Sequence, residues 1–266
     1  MIRDITLGQY YDTQSPIHKM DPRTKILFTV FYMVTLFLID GIYAYTAILL
    51  LTALIIALSN IPLKFMVIGL KPILLLVVIT ALLNLFMTPG EEVLRYGFLK
   101  ITKEGIFMAS KMAVRIILLI IGSSVLTLTT TPTVMTGGLE LLLSPLKKIG
   151  IPISVFVMMI SIALRFIPTL IDETDKIIKA QTSRGADFEN KNPLKRIKAM
   201  IPILIPLFVS AFRRADDLAV AMECRCYNAD SKRTSYRQFR FGKYDLYALI
   251  WAIVFTILLV IIKVVL

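Results

Sequence analysis

Residues 72–90 read PILLLVVITALLNLFMTPG, a stretch without a single Asp, Glu, Lys or Arg. A helix needs roughly 17–25 mostly apolar residues to cross a bilayer, because backbone amides left unpaired in hydrocarbon are too costly. Outward from this stretch, Gly41–Ser59, Ile116–Leu139 and Leu246–Ile262 are also free of charge and long enough to cross. Ile26–Ile39, between Lys25 and Asp40, has only 14 such residues. Its flanking charges can snorkel to the interface, so it is read as a fifth span. The 266 residues are 57% hydrophobic and the mean hydropathy is +0.77. Soluble domains sit near 45–50% apolar. The expected fold is an all-α membrane protein with about five transmembrane helices.

The net charge of +12 is unevenly placed: residues 131–243 hold 18 of the 30 Lys and Arg and 10 of the 18 acids. Cytoplasmic segments carry the Lys/Arg excess. A cytoplasmic or interfacial domain is therefore expected at 131–243, between a four-span membrane domain at 1–130 and a final transmembrane helix at 244–266. Counting spans puts the N-terminal segment, with Arg3, Lys19, Arg23 and Lys25, inside the cell. The Asp40–Tyr43 turn, the 91–104 loop and the C-terminus then fall outside. A basic block can also meet nucleic acid or lipid headgroups; in a membrane chain, orientation and headgroup contact account for it. The first 25 residues hold no apolar signal-type run, so insertion is expected to use the chain's own spans. Lys111 and Arg115 lie one turn apart near the start of a span. Charges there are functional candidates, or they snorkel to the outer interface, which their position favours.

Beyond Thr131 the pattern changes. Ile149–Leu164 is uncharged for 16 residues and Ala199–Phe212 for 14. Each continues into a charged stretch, through Arg165, Asp172, Glu173 and Asp175 in one case and Arg213, Arg214, Asp216 and Asp217 in the other. Runs this short followed by charged helix suit buried, re-entrant or interfacial helices better than full crossings. The two segments echo one another at a separation of 41 residues: Ile160 with Ile201, Ile162 with Ile203, Asp175 with Asp216, Ala180 with Ala221, Arg184 with Arg225. Each Arg sits between small residues, in Ser183-Arg184-Gly185 and Cys224-Arg225-Cys226. Small neighbours leave the guanidinium unobstructed, and its planar fork can grip a carboxylate in two places. Equally, an Arg near a helix C-terminus complements the helix dipole. Spacing alone leaves both open.

Several chemistries are disfavoured. The chain has no G-x-x-x-x-G-K-[ST] phosphate loop, so it is not expected to hydrolyse ATP by that route or to act as an enzyme. Its single histidine, His18, cannot build a catalytic or metal-binding cluster, and no cofactor is expected. Cys224 and Cys226 read as small residues, since an i,i+2 pair suits an ordinary disulfide poorly. Asp172, Glu173 and Asp175 are the best acids for a membrane enzyme, and form a solvated helix face as readily. A self-contained secondary transporter or channel would need polar groups at mid-membrane; the spans offer only Asn84 and the Ser123-Ser124 pair. Met158 and Met159, with Met135, Met200 and Met222, fit an adaptable surface for several partners, or a core or lipid-facing role.

The chain resembles the transmembrane subunits of energy-coupling factor transporters over essentially its whole length. Two markers carry the resemblance. One is the pair Ser183-Arg184-Gly185 and Cys224-Arg225-Cys226, similar to that family's paired Ala-Arg-Gly-type motifs, with Cys226 where Gly is usual. The other is Asp21-Pro22-Arg23-Thr24-Lys25, similar to its D-P-R-x-K lead into the first span. The resemblance implies an ATP-driven vitamin or micronutrient importer in a bacterial cell membrane. Two cytosolic ABC-type ATPases would bind the helix tips through Arg184 and Arg225. A small membrane-embedded substrate-binding subunit would pack on apolar faces that include Val155, Met158, Met159, Ile162 and Ile203.

Overall fold

The computed structural model describes residues 10–39, 41–96, 99–186, 188, 192–228 and 238–265; Arg3 and Asp40, used above for orientation, lie outside them. The helices are α1 (Pro22–Leu38), α2 (Ile42–Ser59), α3 (Leu63–Met87), α4 (Lys103–Thr129), α5 (Pro132–Leu143), α6 (Ile153–Ser183), α7 (Pro193–Cys224) and α8 (Lys243–Val265). A short 3-10 helix, Ser144–Ile149, follows α5. The 91–104 loop holds an antiparallel hairpin, β1 (Glu92–Tyr96) and β2 (Leu99–Thr102), with Tyr96 opposite Leu99 and an irregularity between Glu92 and Leu94. This is a minor addition to an all-helical membrane protein. Residues 8–142 and 239–266 form one compact unit, and residues 143–238 belong to another.

Among the described residues, α2, α3, α4 and α6 are long and apolar enough to cross a membrane. For α6 this departs from the sequence expectation. Its uncharged run ends at Arg165, yet a single continuous helix carries the apolar character past that residue, and one charge does not spoil the window.

In the first unit, polar contacts at the helix ends set the packing. Asp21 caps α1 by accepting the Arg23 N–H at 2.9 Å, and Pro22 fills the first turn, where a missing N–H costs nothing. Lys25, only 6% exposed, donates from Nζ to the Thr129 carbonyl (3.0 Å), Thr130 Oγ1 (3.2 Å) and the His18 carbonyl (3.3 Å). It thereby satisfies the last carbonyl of α4, which has no partner within the helix. The reciprocal contact comes from Arg115, which donates to the Ile39 carbonyl at the end of α1 (3.2 Å) and to Tyr45 Oη (2.9 Å). Arg115 therefore caps a neighbouring helix, where the sequence suggested snorkelling to the interface. The two contacts fix α1 and α4 antiparallel.

Between these ends lies a core of Tyr32, Leu36, Ile48, Leu118 and Phe255. Tyr32 Oη sits 2.8 Å from Thr52 Oγ1, and its ring fills the space that a Cβ on Gly122 would occupy. The opposite arm of the D-P-R-x-K motif ties α1 to α8. The Asp21 N–H donates to Asp245 Oδ1 (2.9 Å), Arg23 reaches the Phe239 carbonyl (3.3 Å), and its guanidinium stacks 5.3 Å from the Phe241 ring. The start of α1, the end of α4 and the start of α8 thus share one end of this unit.

His18 anchors the segment before α1. Its Nε2–H donates to the Tyr11 carbonyl at 3.0 Å, which leaves Nδ1 to accept from the Ser15 hydroxyl at 2.7 Å; the Tyr11 N–H in turn donates to the Leu128 carbonyl. Burial, the largest cause, lowers the imidazole pKa, and the Lys25 charge adds to the lowering. A histidine lowered on folding contributes stability that is full above its unfolded value of about 6.5 and fades as pH falls toward the folded value. Exchange of the Tyr11 amide, corrected for intrinsic rate, should therefore accelerate from pH 7 to pH 5. The His18→Gln variant, whose amide can still donate to Tyr11, should flatten that dependence.

Candidate functional site

The second unit is built on α6 and α7. Each begins beside a proline, Pro152 before α6 and Pro193 at the first position of α7, and each carries proline inside, Pro168 in α6 and Pro202 and Pro206 in α7. Pro206 has no N–H to offer the Pro202 carbonyl four residues earlier. The Gln181 side chain approaches that carbonyl at a long 3.5 Å. Further along, Arg214 Nη2 donates to Glu173 Oε2 at 2.9 Å. Moving from residue 181 to 173 on α6 thus moves from 202 to 214 on α7, so the helices run antiparallel. Beside the ion pair is a gap of about 280 Å³ lined by Ile162, Phe166 and Leu170 of α6 and the Ala211-Ala215-Ala219 stripe of α7.

The contact gives the 41-residue echo a geometric meaning. Glu173 and Arg214 are themselves 41 apart, so equivalent positions of the two helices touch at the crossing. A local two-fold relation follows. Arg184 lies eleven residues beyond Glu173, and Arg225 eleven beyond Arg214. At 1.5 Å per residue each tip sits about 16 Å from the crossing, in opposite directions. The tips are therefore separate, one at each end of the crossed pair.

Both tips fold the same way. At the end of α6 the Ala186 N–H donates to the Gln181 carbonyl (3.0 Å) and the Gly185 N–H to the Thr182 carbonyl (2.9 Å), with Gly185 at φ 87°. At the end of α7 the Tyr227 N–H donates to the Met222 carbonyl (3.0 Å) and the Cys226 N–H to the Glu223 carbonyl (2.8 Å), with Cys226 at φ 54°. Each is a Schellman cap, with a left-handed residue just past the helix. Glycine adopts that conformation freely, but a residue with a Cβ is strained there by about 1–2 kcal/mol. Cys226 keeps the same backbone geometry as Gly185 despite its Cβ. Cys226→Gly should accordingly slow exchange of the Tyr227 amide by about 1 kcal/mol of protection, and Cys226→Val should hasten it.

All six motif residues, Ser183, Arg184, Gly185, Cys224, Arg225 and Cys226, are exposed. Among the described residues neither Arg184 nor Arg225 has a side-chain hydrogen-bond or ion-pair partner, so both guanidinium groups are free to meet another surface. Of the apolar positions expected to meet a membrane partner, Met159 is exposed, Val155 and Met158 are half-buried, and Ile162 faces the gap between the helices. Ile203 is 7% exposed, so its side chain is spent inside the chain and drops out of any docking surface. A face that sequence reasoning passed over is Ile201, Leu204, Ile205, Phe208 and Phe212 of α7, all exposed. Their i, i+3, i+4, i+7 spacing was the available signal.

The family model described as CbiQ, cobalt transport protein, matches residues 13–236. The chain is 56% identical over 245 residues to the energy-coupling factor transporter transmembrane protein EcfT of Ruminiclostridium cellulolyticum, covering 92% of each chain. It is 50% identical over 251 residues to the EcfT of Thermosediminibacter oceani, covering 94% of each. With the EcfT of Clostridium kluyveri it shares 49% over 256 residues, 96% of this chain and 95% of the relative.

Proposed function

Because this chain belongs to the CbiQ family, as a multi-pass transmembrane component of energy-coupling factor transporters, we propose that it couples ATP hydrolysis in partner subunits to import of a vitamin or similar micronutrient. Arg184 and Arg225 each dock into an acidic groove of one of two cytosolic ABC-type ATPases. The exposed apolar faces of α6 and α7 hold a small membrane-embedded substrate-binding subunit. When the ATPases close, the helices move and tilt that subunit, which then releases its cargo inward.

The observation that carries this reading is the pair of equal arms that end in identical caps with free arginines. A two-fold pair of tips suits a pair of similar ATPases better than one asymmetric partner. Orientation follows the same logic. The basic domain at 131–243 and the N-terminus face the cytosol, and the C-terminus lies outside the cell membrane. The shared end of α1, α4 and α8 in the first unit supports that arrangement, since an even number of crossings separates the start of α1 from the end of α4. Affinity purification of the tagged chain from native membranes tests the proposal. Two ATPases and a small membrane protein should come with it; a chain that purifies alone and still transports would refute it.

A further inference from the structure

Within the first unit, a cavity of about 330 Å³ opens between α1, α2, α4 and α8. One flank is formed by α8 through Tyr244, Tyr247, Ala248 and Trp251. Tyr247 and Trp251 are more than half exposed, so the cavity is open from the side of the bundle. On the side of α1, α2 and α4 the wall carries few polar groups, and each is already satisfied. Lys25 is held by the end of α4, Thr29 donates to the Lys25 carbonyl (2.8 Å), Thr129 donates to the Val125 carbonyl (2.7 Å), and Tyr32 and Thr52 share a hydrogen bond. A polar solute lying against this wall would lose water and find few replacement partners, since the Tyr244 and Tyr247 hydroxyls and the Trp251 N–H belong to the exposed flank. Water itself gains little in an apolar cavity. The wall therefore selects an apolar chain.

Depth and charge narrow the occupant. From Tyr244 to Trp251 is about 10 Å along a helix, less than half of a hydrocarbon core of about 30 Å, so the crevice lies within one leaflet. It begins at the end of the unit where Asp21 meets Asp245. There Lys19, next to the lining residue Met20, and Lys243, next to Tyr244, are both exposed. Tyr and Trp are the side chains that settle at the membrane–water boundary, and ammonium groups at that level attract anionic headgroups.

We infer that the crevice between α1, α2, α4 and α8 is a binding site for an anionic phospholipid. One acyl chain lies along Trp251, Ala248 and Leu54, and the phosphate sits between Lys19 and Lys243. The lipid fills a space that the chain's own side chains leave open, and it joins α8 to the α1–α2–α4 core.

The purified transporter complex is reconstituted in phosphatidylcholine vesicles containing phosphatidylglycerol with a photoactivatable diazirine in its acyl chain. After illumination, labelled peptides should come from α8 around Trp251 and from α2 around Leu54. Ala248→Trp, which fills the crevice, should reduce that labelling severalfold, and Leu54→Trp gives the same readout should the first variant fail to fold. Lys19→Glu with Lys243→Glu should abolish the preference for the phosphatidylglycerol probe over a matching phosphatidylcholine probe. Labelling that maps elsewhere, or that neither filling variant lowers, overturns the site. Equal labelling by both probes in the unaltered protein overturns the anionic selectivity. A photoreactive residue at position 248 that captures a polypeptide in place of lipid shows that a protein partner or a second copy occupies the crevice, and also overturns it.

Discussion

Replacing both Arg184 and Arg225 by alanine should release the ATPases from the transporter and end ATP-driven uptake, with the membrane subunits still folded. Truncating one side of a hydrogen-bonded charge pair that an interface desolvates costs about 2 kcal/mol or more, which is about 30-fold in affinity for each tip. The two tips lie on opposite arms of the α6–α7 crossing, far beyond the distance at which substitutions couple, so the losses should add. Each single variant should weaken one ATPase contact and leave the other near its original strength. Arg184→Lys and Arg225→Lys keep the charge but lose the planar fork, and should fall between wild type and alanine. Quantitative co-purification and vesicle uptake read both effects. Normal recovery of both ATPases with the double alanine variant would sink the docking proposal and leave the fold untouched. Thermal stability of the isolated chain should hardly change, because exposed side chains away from packed contacts contribute within about 0.5 kcal/mol.

Lys25 should show the opposite pattern, a large effect on stability from a residue with no proposed partner outside the chain. Its ammonium is buried and donates to three oxygens, two of them at the end of α4. Lys25→Met preserves most of the stem's volume and removes the donors. The Thr129 and His18 carbonyls then lose the ammonium that donates to them, and Asp245 loses a nearby positive charge. A loss of about 3 kcal/mol follows from the unsatisfied buried acceptors, while Asp245 keeps the Asp21 and Gly242 N–H donors. The matched substitution Lys19→Met, at an exposed position, should cost less than about 0.5 kcal/mol. Unfolding midpoints in detergent give the comparison, and faster exchange at the Tyr11 amide, bonded to Leu128, should accompany the Lys25 loss. Equal midpoints for the two variants would show that the cap on α4 is not holding the bundle end together.

These three residues show how far the sequence could be read. Arg184 and Arg225 stood out because a helix tip is a local feature: small flanks, a helix stop and a charge all fall within a few residues. The apolar stretches in α2, α3 and α4 were legible for the same reason, since the cost of placing a charge or an open amide in hydrocarbon is incurred residue by residue. Lys25 was visible only as part of a motif, because two of its three partners lie more than a hundred residues along the chain. Arg115 is hidden on the same ground: nothing near it in sequence announces the Ile39 carbonyl. Ile203 looked like one more apolar position until packing buried it. The α6 run looked too short to cross because its boundary was drawn at the first charge.

The chain's membrane character, its helix count to within the ambiguity of the short runs, and the two arginine motifs were determined by local chemistry that needs no partner. Folding in three dimensions decided that α6 and α7 cross antiparallel at Glu173 and Arg214, that Cys226 accepts a left-handed backbone, and that D-P-R-x-K fastens three helix ends together. Each of these depends on which distant groups meet, and hydrophobic periodicity specifies a face without naming what will cover it.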